Sequence, residues 1–132
     1  MQSKAKPATK AEKERFKAIG EIGCIPCWIE NMQYREPDVQ HVVEGGKRKG
    51  HEYTYGCCPW HHRGVLPDGM TGHQAERDLG PSLAVSRKDY HARYGGEDHL
   101  VALQNVAIDL TKEGRFYSWM RKFRGRNEHY SS

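Results

Sequence analysis

Long hydrophobic runs are missing from this chain: no apolar stretch approaches the roughly 18–20 residues that a bilayer-spanning helix needs. Apolar residues fill only 36% of the 132 positions and the mean hydropathy is −0.90, so a membrane protein is excluded. An apolar leader is missing too. Met1-Gln2-Ser3-Lys4 runs straight into charged sequence, and the expectation is a chain without a secretory signal that works in the cytoplasm. No internal repeat and no glycine period is present, which excludes a collagen-like chain. Cysteine is scarce, with four residues. In a reducing compartment such thiols are poor material for a disulfide framework. The length suits one domain with a modest core.

What is present is charge, unevenly spread. Residues 1–17 and residues 112–132 each carry six Lys or Arg against two Glu, whereas 18–111 carry nine basic and thirteen acidic residues. Two basic ends on a mildly acidic centre suit a partner with a phosphate backbone. A pair of solvated tails fits the charge equally well. The chain divides on this basis into a basic arm with an N-terminal helix over 1–20, a central domain over 21–111, and a basic, aromatic segment over 112–132.

Local signals place the elements. Thr9 with Glu12 reads as a capping box opening a helix through Phe16 and Ile19 to Gly20. Gly23-Cys24-Ile25-Pro26-Cys27 reads as a tight turn. Residues 37–43, with three valines, read as a strand, and His51-Glu52-Tyr53-Thr54-Tyr55 as its return across a glycine-rich basic tip. Pro59 opens a helix carrying Trp60, His61 and His62. Residues 63–81 hold four Gly and two Pro and read as mostly irregular. Ser86 with Asp89 opens a short helix bearing Tyr90, His91 and Tyr94, and Leu100, Leu103, Ala107 and Leu110 form the apolar stripe of another.

The cysteines and histidines carry the chemistry. Cys24-x-x-Cys27 and Cys58-x-x-His61 have the spacing of a structural zinc site, two ligands on a knuckle and two on the first turn of a helix. Thirty residues separate the pairs, enough for one hairpin. Cys57 is an alternative to Cys58, though its spacing to His61 is less usual. Knuckle, hairpin and helix around one ion make a treble clef. The expected fold is therefore a small α+β domain, zinc-stapled, of treble-clef or ββα-metal type with flanking helices. His62 is left free. Neighbouring helix positions point about 100° apart, so His62 can turn toward the hairpin strand that carries His41. A strand histidine opposite a helix histidine suits a one-metal nuclease, the first taking a proton from water and the second holding a divalent cation on the phosphate.

The stretch from His41-Val-Val-Glu-Gly-Gly-Lys-Arg-Lys-Gly-His51 through Tyr-Thr54-Tyr-Gly-Cys-Cys58-Pro-Trp-His-His62-Arg-Gly resembles the HNH (His-Me finger) endonuclease superfamily. Within it the chain is most similar to Ref-like recombination-enhancement nucleases of phage and prophage origin. Residues 80–84, 90–95 and 97–100 extend that resemblance, which covers roughly 21–111. It implies a phosphodiester hydrolase acting on DNA in a bacterial host cell, with a recombinase filament as a possible partner. His41 then matches the general base, His62 the helix ligand of the catalytic metal (Mg2+, Mn2+ or Zn2+), and Cys24, Cys27, Cys58 and His61 the structural Zn2+ set. Thr54 falls near the family's asparagine. Two positions depart from the pattern: Gln40 stands where His or Asp usually precedes the base, and Leu66 where a second helix ligand often stands. His91 is the first candidate to complete the site, before His73 and Asp38. Lys47, Arg48 and Lys49 at the hairpin tip, Arg63, and Arg121, Lys122 and Arg124 near the C-terminus are the expected phosphate contacts. Aromatics interleave with the C-terminal cations, which fits base stacking; Phe116, Trp119 and Phe123 at helical spacing fit core packing as well. The lost ligands keep a second reading open, a non-catalytic zinc-finger DNA-binding module. His51, His99 and His129 are expected at the surface.

Overall fold

The computed structural model describes residues 9–44, 47–48, 50 and 52–131, and the side chains of 43–44, 47–48 and 125–131 fall outside that description. The expectations placed on the side chains of Lys47, Arg48, Lys49, His51 and His129 lie outside it. Among the described residues no helix is long and apolar enough to cross a membrane.

Thr9 caps the first helix, α1 (Lys10–Ile22), with the reciprocal Thr9–Glu12 bonds of a capping box. The helix runs two residues beyond Gly20 and stops at Gly23, whose φ of 94° suits only glycine. The knuckle is more than a turn. Cys24 is the N-cap of a second helix, α2 (Ile25–Asn31), with Pro26 in its first turn, where a missing N–H costs nothing.

The hairpin pairs β1 (Asp38–His41) with β4 (Thr54–Cys57) antiparallel, Asp38 opposite Cys57 and His41 opposite Thr54. Its tip pairs β2 (Val43–Glu44) with β3 (Lys47–Arg48). The return strand is displaced from the expected 51–55 toward Cys58. Within that extension Gly56 is a crossing point. A Cβ there would sit 2.6 Å from the Gly23 carbonyl oxygen and 3.1 Å from Ile19, so the α1–α2 turn lies directly on β4.

α3 (Pro59–Arg63) follows as expected, and Gly64 ends it in the left-handed region. The irregular reading of 63–81 is corrected by α4 (Gly72–Leu79). Its N-terminus is a second capping box, Thr71 with Gln74, hidden among the glycines that suggested a loop. α5 (Arg87–Tyr94) is capped by Ser86, whose hydroxyl accepts the Asp89 N–H. α6 (Glu97–Lys112) buries Leu100, Leu103 and Ala107 along the expected stripe. α7 (Phe116–Ser131) packs its aromatics inward: Phe116 meets the Trp28 ring edge-on at 5.2 Å, and Met120 is fully buried. Arg124 binds the Ile29 and Glu30 carbonyls at the end of α2, each at 2.7 Å. The C-terminal segment is thus built into the core.

A two-stranded sheet has two open edges, which side chains must close. On β4 the residues opposite His41 and Val39 turn their backbone groups away from β1. Gln104 of α6 accepts the Gly56 N–H at 2.8 Å, and Arg15 of α1 donates to the Thr54 carbonyl at 2.6 Å. The ladder is therefore framed by helices on its free side. Replacing Gly56 with Ala should cost about 1–3 kcal/mol, the usual scale for overpacking against backbone that cannot yield. Urea denaturation of the variant checks this, and an unchanged midpoint would show that the α1–α2 turn does not press on the strand.

Candidate metal centre and the adjoining histidine

The ends of the hairpin meet in a buried knot. Cys24 and Cys27 arrive from the start of α2, Cys58 and His61 from the start of α3, and all four ligand atoms lie within 4.8 Å of one another. The His61 Nδ1 stands 3.5 Å from Cys24 Sγ, 3.5 Å from Cys27 Sγ and 3.2 Å from Cys58 Sγ, and Cys27 and Cys58 sulfurs are 3.7 Å apart. The Cys27 N–H points to Cys24 Sγ at 3.4 Å. Each ligand residue is at most 2% exposed. Among the described residues this is the one cluster of three or more such side chains able to hold a metal ion.

The donors are set for an ion. His61 Nε2 lies 2.6 Å from the Leu79 carbonyl oxygen. A carbonyl only accepts, so Nε2 carries the proton and Nδ1 turns its lone pair into the knot. The Tyr94 hydroxyl donates at 2.9 Å to Glu30, which also receives a two-pronged bond from Arg93, and it lies 3.2 Å from the same Leu79 oxygen. Burial pushes the Cys24 thiol well above its ordinary value, and hydrogen bonding to Cys24 and Cys58 does so at Cys27. Bonds from Cys24 and Cys27 pull Cys58 down. Three thiols this close in a buried site cannot easily all ionise, and a cation among them would favour their thiolates. Cys57, the open alternative, is excluded from this knot. It contacts the Tyr90 hydroxyl at 3.4 Å and packs in the apolar cluster with Tyr55, while staying close enough to Cys24 to help raise that thiol.

His62 turns away from the knot, as its position on α3 requires. It meets the strand of His41, and its partner there is Asp38: Nδ1 lies 3.1 Å from Asp38 Oδ2. Arg63 Nε donates to the same oxygen at 2.7 Å. Partial burial pushes the Asp38 carboxyl up, but the bonds from Arg63 and His62 outweigh it and hold the group below its ordinary value. Asp38 also lines an open cleft of about 580 Å³ with Pro37, Pro59, Trp60 and Leu66. Leu66 is 45% exposed at that cleft and offers no ligand.

Strand pleating separates the two histidines. Asp38 and Gln40 share one face of β1; Val39 and His41 share the other. The His41 face looks toward α1, where the Phe16 ring meets His41 edge-on at 6.5 Å. Thr54, fully buried, accepts Arg15 Nε at 3.0 Å on that face. Gln40 donates its amide to the His41 carbonyl at 3.3 Å. His91, half-buried at the last turn of α5, is bonded through Nδ1 to the Gly95 carbonyl at 2.9 Å, and among the described residues no hydrogen bond or ring contact joins it to His62. His73 lies exposed on α4 and not on a loop. His99 is exposed and stacks on Phe123. Arg121 and Lys122 are exposed on α7, whereas Arg63 and Arg124 are engaged by Asp38 and by α2. Spacing alone ranked Asp38 third. The two residues that meet the hairpin from α1 carried no sequence signal, because their contacts span 25 or more positions along the chain.

A family model described as recombination enhancement, RecA-dependent nuclease matches residues 8–109. No curated protein and no solved structure matches the chain.

Removing one sulfur of the knot should unfold the domain, since a chain this small leans on its ion. Cys58→Ala is expected to retain no stoichiometric metal and to lose its cooperative thermal transition. Cys57→Ala should keep one ion per chain. Metal content by elemental analysis, alongside thermal melts, separates the two; a metal-loaded Cys58→Ala protein would overturn the assignment of the fourth ligand.

Proposed function

The chain belongs to the recombination-enhancement, RecA-dependent nuclease family, and from that premise we propose that it is a metal-dependent DNA endonuclease of the HNH (His-Me finger) kind. The observation that carries the reading is the Asp38–His62 pair, set on the first turn after the metal knot and on the strand of the candidate base.

The knot reads as structural zinc. Zinc–sulfur bonds of about 2.3 Å and zinc–nitrogen bonds of about 2.0–2.1 Å at tetrahedral angles give S···N edges near 3.5 Å and S···S edges near 3.8 Å. The observed S···N separations of 3.2–3.5 Å and the S···S separation of 3.7 Å agree with that set. Knuckle, hairpin and α3 around this ion form the treble-clef arrangement.

The chemistry then divides between the two faces of β1. An acceptor carboxylate at Nδ1 fixes the proton there, so His62 presents the lone pair of Nε2, as a carboxylate-buttressed metal ligand does. A divalent cation held by Nε2 would neutralise the scissile phosphate and the departing oxygen. His41, on the other face, takes the proton of the attacking water. Asp38 orients His62 and, through Arg63, keeps its own charge. His91 is in the same tautomeric state as His62, its Nδ1 proton given to Gly95, and is the candidate for a second ligand in place of Gln40. Exposed Arg121 and Lys122, with the hairpin-tip cations, would meet the phosphate backbone. A recombinase-coated DNA is the natural substrate form, and the cytoplasm of a bacterial host the natural place.

Gln40 and Leu66 favour the second reading, a DNA-binding module without catalysis. Nicking of RecA-coated plasmid in Mg2+ or Mn2+ tests both. His41→Ala and His62→Ala should each lose about 10²–10⁴-fold in rate, the range for a general acid–base group, with the zinc content unchanged. Cleavage by His41→Ala at the wild-type rate would remove the assigned base. A gel shift without cleavage in any divalent metal would establish the binding module instead.

A further inference from the structure

The N-terminal helix lies outside the knuckle–hairpin–α3 unit, yet two consecutive residues of it meet the hairpin at the position of the candidate base. Phe16 takes the His41 ring edge-on. Arg15 takes Thr54, which stands directly opposite His41. The pair His41–Thr54 is of the close kind. The neighbouring pair exchanges a backbone bond, Val42 N–H to Tyr53 carbonyl at 3.0 Å, so alternation leaves His41 and Thr54 without one and their side chains adjacent on one face.

All three nitrogens of Arg15 are committed. Nε donates to the Thr54 hydroxyl at 3.0 Å, Nη2 to the Thr54 carbonyl at 2.6 Å, and Nη1 to Asn105 of α6 at 2.7 Å. A guanidinium fork fixes both ends of Thr54 at once and ties them to a long helix, which an ammonium cannot do. Thr54 is fully buried and Arg15 half-buried, so this is a framed contact and not a surface bond.

We propose that Arg15 is a positioning residue: through Thr54 it holds the outer strand of the hairpin, and with Phe16 it sets the ring of His41 for proton transfer. The proposal rests on the assignment of His41 as the base. Arg15 touches no reacting atom. Its effect belongs in the turnover step and not in DNA affinity, because a base displaced by an ångström loses rate while leaving the phosphate contacts in place.

The test uses the full-length, zinc-loaded chain on RecA-coated DNA. Arg15→Gln is expected to lower kcat by about 10-fold or more while KM for DNA changes by less than about 2-fold. Arg15→Lys keeps the charge without the fork and should recover only part of the rate. Thr54→Val should show a similar loss, and the double variant little more than either single, as expected for residues acting as one unit. The imidazole resonances of His41 should move in Arg15→Gln, with those of exposed His73 unmoved. A wild-type kcat in Arg15→Gln overturns the proposal, as does a raised KM at constant kcat, which would make Arg15 a DNA contact. A His41 signal that stays in place overturns it as well. If Arg15→Gln fails to fold, Arg15→Lys and Thr54→Val carry the same readings. His41→Ala run in parallel keeps the two assignments apart: full activity there sinks the base itself, whereas an inactive His41→Ala beside a fully active Arg15→Gln sinks only the role of Arg15.

Discussion

Everything in this fold hangs on the meeting of four side chains at the root of one hairpin. The two strand ends that enter and leave the β1–β4 ladder are also the starts of α2 and α3, and the Cys24, Cys27, Cys58 and His61 ligands occupy those starts. The ladder itself is only four residue pairs long, too short to be stable alone. A metal ion held at its root would close a loop of some thirty residues and fix the relative pose of two short helices that have little propensity of their own to persist. The second apolar cluster is built on the same residues: Cys24, Cys27 and Cys58 with Trp60, Ala75 and Leu79. Helix α4 earns its place there. It supplies Ala75 and Leu79 to that cluster and the carbonyl that sets the His61 tautomer.

The knot also explains how adjacent histidines diverge. His61 is fully buried, and both ring nitrogens are occupied, one toward the sulfurs and one on Leu79. With that ring pinned, the helical twist sends His62 to the opposite quarter, where Asp38 is waiting on β1. An ion held in the knot would therefore aim the His62–Asp38 pair without touching it. Loss of the ion would release both at once, and loss of Asp38 only the second.

Much of this was legible in the sequence, and the part that was not has a common cause. Cys24-x-x-Cys27 and Cys58-x-x-His61 are local pairs whose spacing encodes their geometry, and they come together as the spacing implies. Thr9 with Glu12 and the Leu100, Leu103, Ala107 stripe are likewise local, and both elements are where they were expected. The return strand was expected over 51–55 and runs on to Cys57, and Gly56 within it faces Gly23, 33 positions away, a contact no local pattern shows. α4 was missed because Gly and Pro counts outweighed the Thr71–Gln74 box, a two-residue signal inside a noisy stretch. The contact of Asp38 with α3 depended on which face of β1 meets that helix, and a one-residue change of register would have given that place to Val39.

The free edge of β4 is where local and global constraints meet. An exposed edge of four residues would invite pairing with a second chain, and the usual remedy is charge or proline on the strand. Thr54-Tyr-Gly-Cys57 carries neither. Its outward groups are instead taken by Arg15 and Gln104 from two helices that are far apart in sequence. Covering an edge in this way costs two side chains but gives rigidity at the strand opposite His41, which a solvated lysine would not. The family match begins at residue 8 and ends at 109, so it takes in α1 and α6 as far as Asp109, including Gln104, and stops before α7. The unit that needs to be kept together is thus larger than the four-residue knot and its hairpin: it extends outward to the helices that close the sheet, because a ribbon of two four-residue strands does not hold its shape alone.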